Sequence, residues 1–144
     1  MRNILVGLIA LILSGCEGHN EVVNPGIASL PLRADLYPGQ SIRIAQLGLT
    51  ATFDSVTSDS RCPQGAACFW QGDGATRLSI TRDPGPAVTC TLHTTLAPRL
   101  IEVGGVLLQL KELDPYPQIG TIINPRAYVA ELEIDRAEVL YDRL

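Results

Sequence analysis

The stretch AYVAELEID, residues 127–135, puts Tyr128, Ala130, Leu132 and Ile134 on one face and Val129, Glu131 and Glu133 on the other. Strict alternation of this kind marks an antiparallel strand with one face in a core and one in water. The pattern recurs along the chain. SIRIAQ (41–46) sets Ile42 beside Ile44, and LGLTATFDSV (47–56) aligns Leu47, Leu49, Ala51 and Phe53. ATRLSITR (75–82) aligns Leu78 with Ile80, and AVTCTLHT (87–94) aligns Val88, Cys90 and Leu92. RLIEVGGVLLQLKEL (99–113) is two apolar runs around Gly104-Gly105, a pair that supplies the positive φ of a tight hairpin turn. Between the runs lie the turn signals YPGQ, QGDG, DPGP, LDPYP and INP,. About seven to nine short strands at this spacing predict an all-β domain, an antiparallel β-sandwich or a small barrel. Strands are expected over 47–56, 75–82, 105–113 and 128–135, with Phe53, Leu78, Ile80, Leu110, Leu132 and Ile134 in one core and little helix. The stretch RAEVLYDRL (136–144) fits a short helix or a last strand.

The start of the chain reads differently. Arg2 precedes the uncharged run ILVGLIALIL (4–13). That run is too short to span a bilayer, which needs about 20 apolar residues, and has the length of a signal-peptide core. LSGC (13–16) follows. It resembles a bacterial lipobox, whose pattern is Leu, Ser or Ala, Gly or Ala, then Cys. The resemblance implies a diacylglyceryl group on the sulfur of Cys16, cleavage before Cys16 and acylation of the new amino group, commonly with palmitate. One acyl chain binds a membrane marginally, whereas two or more anchor it. The residue after Cys16 is Glu17, not the aspartate that holds lipoproteins at the inner membrane. The expected location is therefore the cell envelope, at the periplasmic face of an outer membrane more than at the inner membrane. The expected organisation is a signal peptide over 1–15, a lipidated N-terminus and flexible tether over 16–28, and a single β-domain over 29–144.

The chain from Cys16 onward carries 10 basic and 15 acidic residues, a net −5. A mildly acidic chain with no basic cluster does not point to nucleic acid as a partner. The expected partners are the membrane, through the anchor, and an unknown envelope protein or small ligand. No cofactor is implied. His19 lies in the tether and is read as incidental.

DSRCPQGAACFW (59–70) concentrates Cys62, Cys68, Pro63, Gly65 and the only tryptophan, Trp70. The compartment outside the inner membrane is oxidising. A Cys62–Cys68 disulfide closed through the Pro-Gly turn is the leading expectation, worth about 2 kcal/mol by loop closure. Pairing of either cysteine with Cys90, or a thiolate metal site, remains an alternative. Zinc needs about four ligands, and three thiols with His93 show no zinc spacing, so no metal site is assigned. Cys90 alternates with Val88 and Leu92 and reads as a buried free thiol. Trp70 sits two positions after Cys68, so strand periodicity places both on one face and predicts core packing. The competing reading is an exposed aromatic platform.

Asp59, Ser60, Arg61 and Trp70 form the candidate functional loop. A serine nucleophile needs an oriented base, and the only histidine of the domain, His93, has no glycine elbow near Ser60. No catalytic residue is therefore assigned. Asp59 or Ser60 can instead cap the loop entry, and Arg61 can bridge carbonyls or pair with Asp54 or Asp73. Asp54, Asp59 and Asp73 lack the spacing of a calcium loop.

The same residues carry a second resemblance. DSRCP followed by CFWQG (68–72) is similar to a Asp-Ser-Arg-Cys-Pro, Cys-x-Trp-x-Gly signature of small uncharacterised secreted or lipidated bacterial proteins. The downstream Pro115-Tyr116-Pro117 and the final strand near Tyr128 fit it. The resemblance implies an all-β fold and no particular activity. Three classes of function follow. The first is an envelope-anchored, non-enzymatic binding or structural domain. The second is an inhibitor presenting the Cys62–Cys68 loop to a protease, which would project Arg61 or Gln64 into solvent. The last is a hydrolase using His93 with a nearby serine or Cys90.

Overall fold

The computed structural model describes residues 30–137 together with the two-residue strand Val22–Val23. The expected signal peptide, Cys16, the rest of the tether and the segment after Ala137 lie outside the described residues.

Among the described residues, nine strands build two sheets: β1 (Val22–Val23), β2 (Leu32–Leu36), β3 (Ser41–Ile44), β4 (Leu49–Asp59), β5 (Gly74–Arg82), β6 (Ala87–His93), β7 (Leu100–Val103), β8 (Val106–Asp114) and β9 (Val129–Arg136). One sheet has the order β1-β3-β4-β5-β6 and the other β2-β9-β8-β7. All pairings are antiparallel except that of β1 with β3. The fold is an all-β sandwich. Its core closes between the two inner faces, and Phe53, Leu78, Ile80, Leu110, Leu132 and Ile134 are each at most 1% exposed. The alternating positions do what period-2 geometry requires, one face inward and one outward.

The strand limits differ from the expected ones for identifiable reasons. Leu47 was expected on the strand with Leu49, but Ala45–Leu47 is a 3₁₀ turn ended by Gly48 at φ +57°. The backbone must reverse there, so the strand starts only at Leu49. Within the stretch read as tether, the β-branched pair Val22–Val23 adds to the free edge of β3,. Gly104 and Gly105 both take positive φ in the β7–β8 turn, as a primed hairpin turn requires. Cys90 is free and half-buried rather than fully buried. It lies on β6, the outer strand of its sheet, where Val88 is half exposed. Burial, with the charge of Asp54 beside it, pushes the Cys90 thiol up to about 11, which leaves it protonated and unreactive at neutral pH.

Bulges adjust the faces. The β8–β9 register shifts between Leu110 and Glu112, leaving the backbone of Lys111 without a register partner on β9. The extra residue reverses the alternation, so Leu113 turns inward while Glu112 and Asp114 face out,. Two shifts also occur where β4 meets β5, near Asp54 and Thr57.

The connections β4–β5, β6–β7 and β8–β9 leave the sandwich at one end, because Asp59 pairs with Gly74, Ala75 with His93, and Asp114 with Val129. This loop end gathers the chemistry-bearing side chains.

Candidate functional site at the loop end

The β4–β5 connection leaves through a narrow neck. Ser60 N donates to Asp73 O at 2.7 Å and Cys62 N donates to Gln71 O at 2.8 Å. Beyond the neck Cys62 and Cys68 form a disulfide with Cα atoms 5.9 Å apart. Gln64 N donates to Pro117 O at 2.8 Å, and Gln64 bridges Gln118. The ring is thereby pinned against the β8–β9 connection.

Arg61 is the centre of the neck. Its side chain is 4% exposed and that of Asp59 9%. Arg61 Nε donates to Asp59 Oδ1 at 2.9 Å and Nη2 to Asp59 Oδ2 at 2.7 Å, a bidentate pair,. Nη1 donates to the carbonyl of Leu113 and Nη2 to that of Pro115. Leu113 belongs to the other sheet, so one guanidinium ties the two layers together. The guanidinium also lies 5.0 Å from the centroid of Tyr116, a cation–π distance. Tyr128 Oη donates to Asp59 Oδ2 at 3.0 Å. Burial pushes the Asp59 carboxyl up, but the side-chain and backbone hydrogen bonds and charge of Arg61, with Tyr128, outweigh it and hold the group below its ordinary value.

Asp73 organises the next loop. His93 Nδ1 donates to Asp73 Oδ2 at 2.6 Å, the carboxylate being the acceptor,. Asp73 Oδ1 accepts from Thr95 N at 2.9 Å and Leu96 N at 3.2 Å. Burial raises this carboxyl too, and His93 with the two amides outweighs burial, leaving it below its ordinary value. Both depressed carboxyls stabilise the fold fully above the unfolded carboxylate value of about 3.9, and that contribution is lost as pH falls through their lower folded values. Melting temperature is thus expected to hold from pH 7 to pH 5 and drop below about pH 4. Asp73→Asn should flatten the drop in a melting series from pH 7 to pH 2.5.

The sequence candidates divide. Asp59 and Arg61 come together, but Arg61 takes Asp59 as its partner, not Asp54 or Asp73. Asp54 instead accepts from Ser79 Oγ at 2.7 Å. The three aspartates serve three different partners and do not converge. Arg61 is drawn inward, while Gln64 is exposed. Ser60 Oγ donates to Asp73 O and accepts from Asp73 N, so its hydroxyl is spent on the neck.

Trp70 corrects an expectation. It does not enter the core: it is 75% exposed, and Phe69 beside it is 93% exposed. The chain is not a strand between Gly65 and Gly74, so the two-residue spacing from Cys68 carries no face. The two rings contact each other edge-on, with centroids 5.0 Å apart and planes at 86°. The residues that sequence reasoning missed are Phe69, Tyr116 as the cover of Arg61, Tyr128 as a partner of Asp59, and the Asp73–His93 pair. Only Tyr116 had a signal, its place between two prolines.

At the neck lies an open cavity of about 300 Å³ lined by Arg61, Gln71, Thr94, Lys111, Leu113 and Tyr116. Fold and site together define a two-sheet β-sandwich with a disulfide-closed, aromatic-bearing loop at one end. No family model matches the chain, and no match is found among curated proteins or solved structures.

Proposed function

We propose that this chain is an envelope-anchored lipoprotein whose β-domain is a non-enzymatic binding module, with the loop end as its contact surface. The observation that carries the reading is the Phe69–Trp70 pair, two large rings held in water directly after the Cys62–Cys68 disulfide. Exposed aromatics of this kind dominate contact energetics, and a loop held by a disulfide loses little freedom on binding. The complete LSGC motif supports the anchor.

Two measurements test it. Intact mass of the protein purified from membranes is expected to show acyl groups on Cys16, and Cys16→Ser to leave the membrane fraction; an unmodified Cys16 sinks the anchor. The double variant Phe69→Ala/Trp70→Ala is expected to melt within about 0.5 kcal/mol of wild type, as surface substitutions do. A loss of more than about 2 kcal/mol would mean that the rings pack as core, and the contact surface would have to be sought elsewhere.

A further inference from the structure

The exposed apolar surface of the loop end is not only aromatic. Ile122 is 96% exposed, Ile119 60% and Leu96 59%. These residues come from the β6–β7 and β8–β9 connections, and Phe69 and Trp70 from β4–β5. The loops are neighbours: a Cβ on Gly65 would stand 3.6 Å from Ile119 Cδ1, and Gln64 bridges Gln118. A sugar platform would account for the rings and leave the isoleucines unexplained. Rings and branched aliphatics together suit the headgroup–acyl boundary of a bilayer, where tryptophan is enriched and Phe and Leu side chains insert.

The path of the chain points the same way. β1 runs parallel to β3, Val22 beside Ser41 and Val23 beside Ile42. β3 runs antiparallel to β4, and β4 rises to Asp59 at the loop end. The chain therefore enters Val22 from the loop-end side. Val22 stands six positions after Cys16, a reach of at most about 20 Å. From Thr52, the partner of Ser41, β4 climbs to Asp59, a rise of about 20 Å at strand spacing. An acyl group on Cys16 can thus reach the level of the loop end and little beyond it.

We infer that the loop end docks on the lipid surface that holds Cys16, with Phe69, Trp70 and Ile122 entering the headgroup–acyl boundary. This rests on the reading of Cys16 as lipidated and of the loop end as the contact surface. The exposed or half-exposed charges at this end are mixed, Arg99, Lys111 and Arg126 against Glu112 and Asp114. Docking is accordingly driven by apolar contact and changes little with salt.

Trp70 is the only tryptophan of the chain, so its fluorescence reports this contact alone. The experiment uses the full-length protein purified from membranes and reconstituted in phosphatidylethanolamine–phosphatidylglycerol vesicles, with flotation and intact mass recorded on the same sample. Brominated acyl chains are expected to quench roughly half of the Trp70 emission, as for a ring seated about 5–10 Å into the boundary, and aqueous iodide to quench it poorly. Ile122→Asp, at a side chain free of the core, is expected to weaken the bromine quenching and expose Trp70 to iodide. Protein that floats and carries acyl groups on Cys16, but whose Trp70 is open to iodide and untouched by bromine, overturns the docking and leaves the anchor standing; the platform then faces a protein or a glycan. Bromine quenching unaltered by Ile122→Asp overturns the assigned insertion. Protein that neither floats nor carries acyl groups overturns the anchor and the docking together.

Discussion

Arg61→Ala is expected to destabilise the domain by about 3–5 kcal/mol, the cost of removing one partner from a buried ion pair. The magnitude follows from what the side chain leaves behind. Asp59, 9% exposed, keeps its charge with no cation beside it and only the hydroxyl of Tyr128 and the backbone N–H of residue 61 as donors. The carbonyls of Leu113 and Pro115 lose their donor, and Tyr116 loses the cation over its ring. Arg61→Lys should recover little, because an ammonium cannot hold both oxygens of Asp59 and two carbonyls at fork geometry. Urea unfolding at pH 7 measures this. A loss below about 1 kcal/mol would place Arg61 among surface pairs and dissolve the tie between the sheets.

Gly72→Ala is the second large effect, about 3 kcal/mol. Gly72 has φ +72°, and an added Cβ would collide with the carbonyl carbon and oxygen of Ser60 and with Arg61 Cα. These are backbone atoms, so no side-chain rotation relieves the collision. The left-handed conformation alone costs an L-residue about 1–2 kcal/mol. Opening the neck also weakens the Ser60–Asp73 and Cys62–Gln71 hydrogen bonds, at about 1 kcal/mol each. Thermal melting checks it, with Gly105→Ala, whose Cβ meets nothing within 4 Å at φ +79°, as the control for φ alone. Equal losses in the two variants would show that the collision is absorbed.

These two effects differ in how well they could be read beforehand. The core was legible because burial in a strand repeats every second residue, and Phe53, Leu78 and Leu132 needed only that local rule. The disulfide was legible because its partners are six residues apart. The partners of Arg61 were not: Leu113 lies 52 positions away and Pro115 54, and topology alone brings them in. Trp70 was misplaced because alternation was carried past Gly65, into backbone that is no strand. The bulge at Lys111 also escaped, since one inserted residue looks like any other until the opposite strand is present.

The order of the strands has a consequence for how the molecule comes together. β3, β4, β5 and β6 are neighbours in sequence and in space, so that sheet can zip from short-range contacts as the chain emerges. The other sheet can do so only for β7, β8 and β9. β2 pairs with β9 across Leu32–Ile134 and Leu36–Ala130, a loop closure spanning almost the whole domain, and such distant contacts are slow to form. Until Val129–Arg136 is available, β2 has no neighbour in its sheet and the inner faces of Leu108 and Leu110 lack Ile134 and Leu132. A chain delivered N-terminus first therefore waits for Val129–Arg136, with the inner faces of β2 and β8 uncovered until that strand arrives.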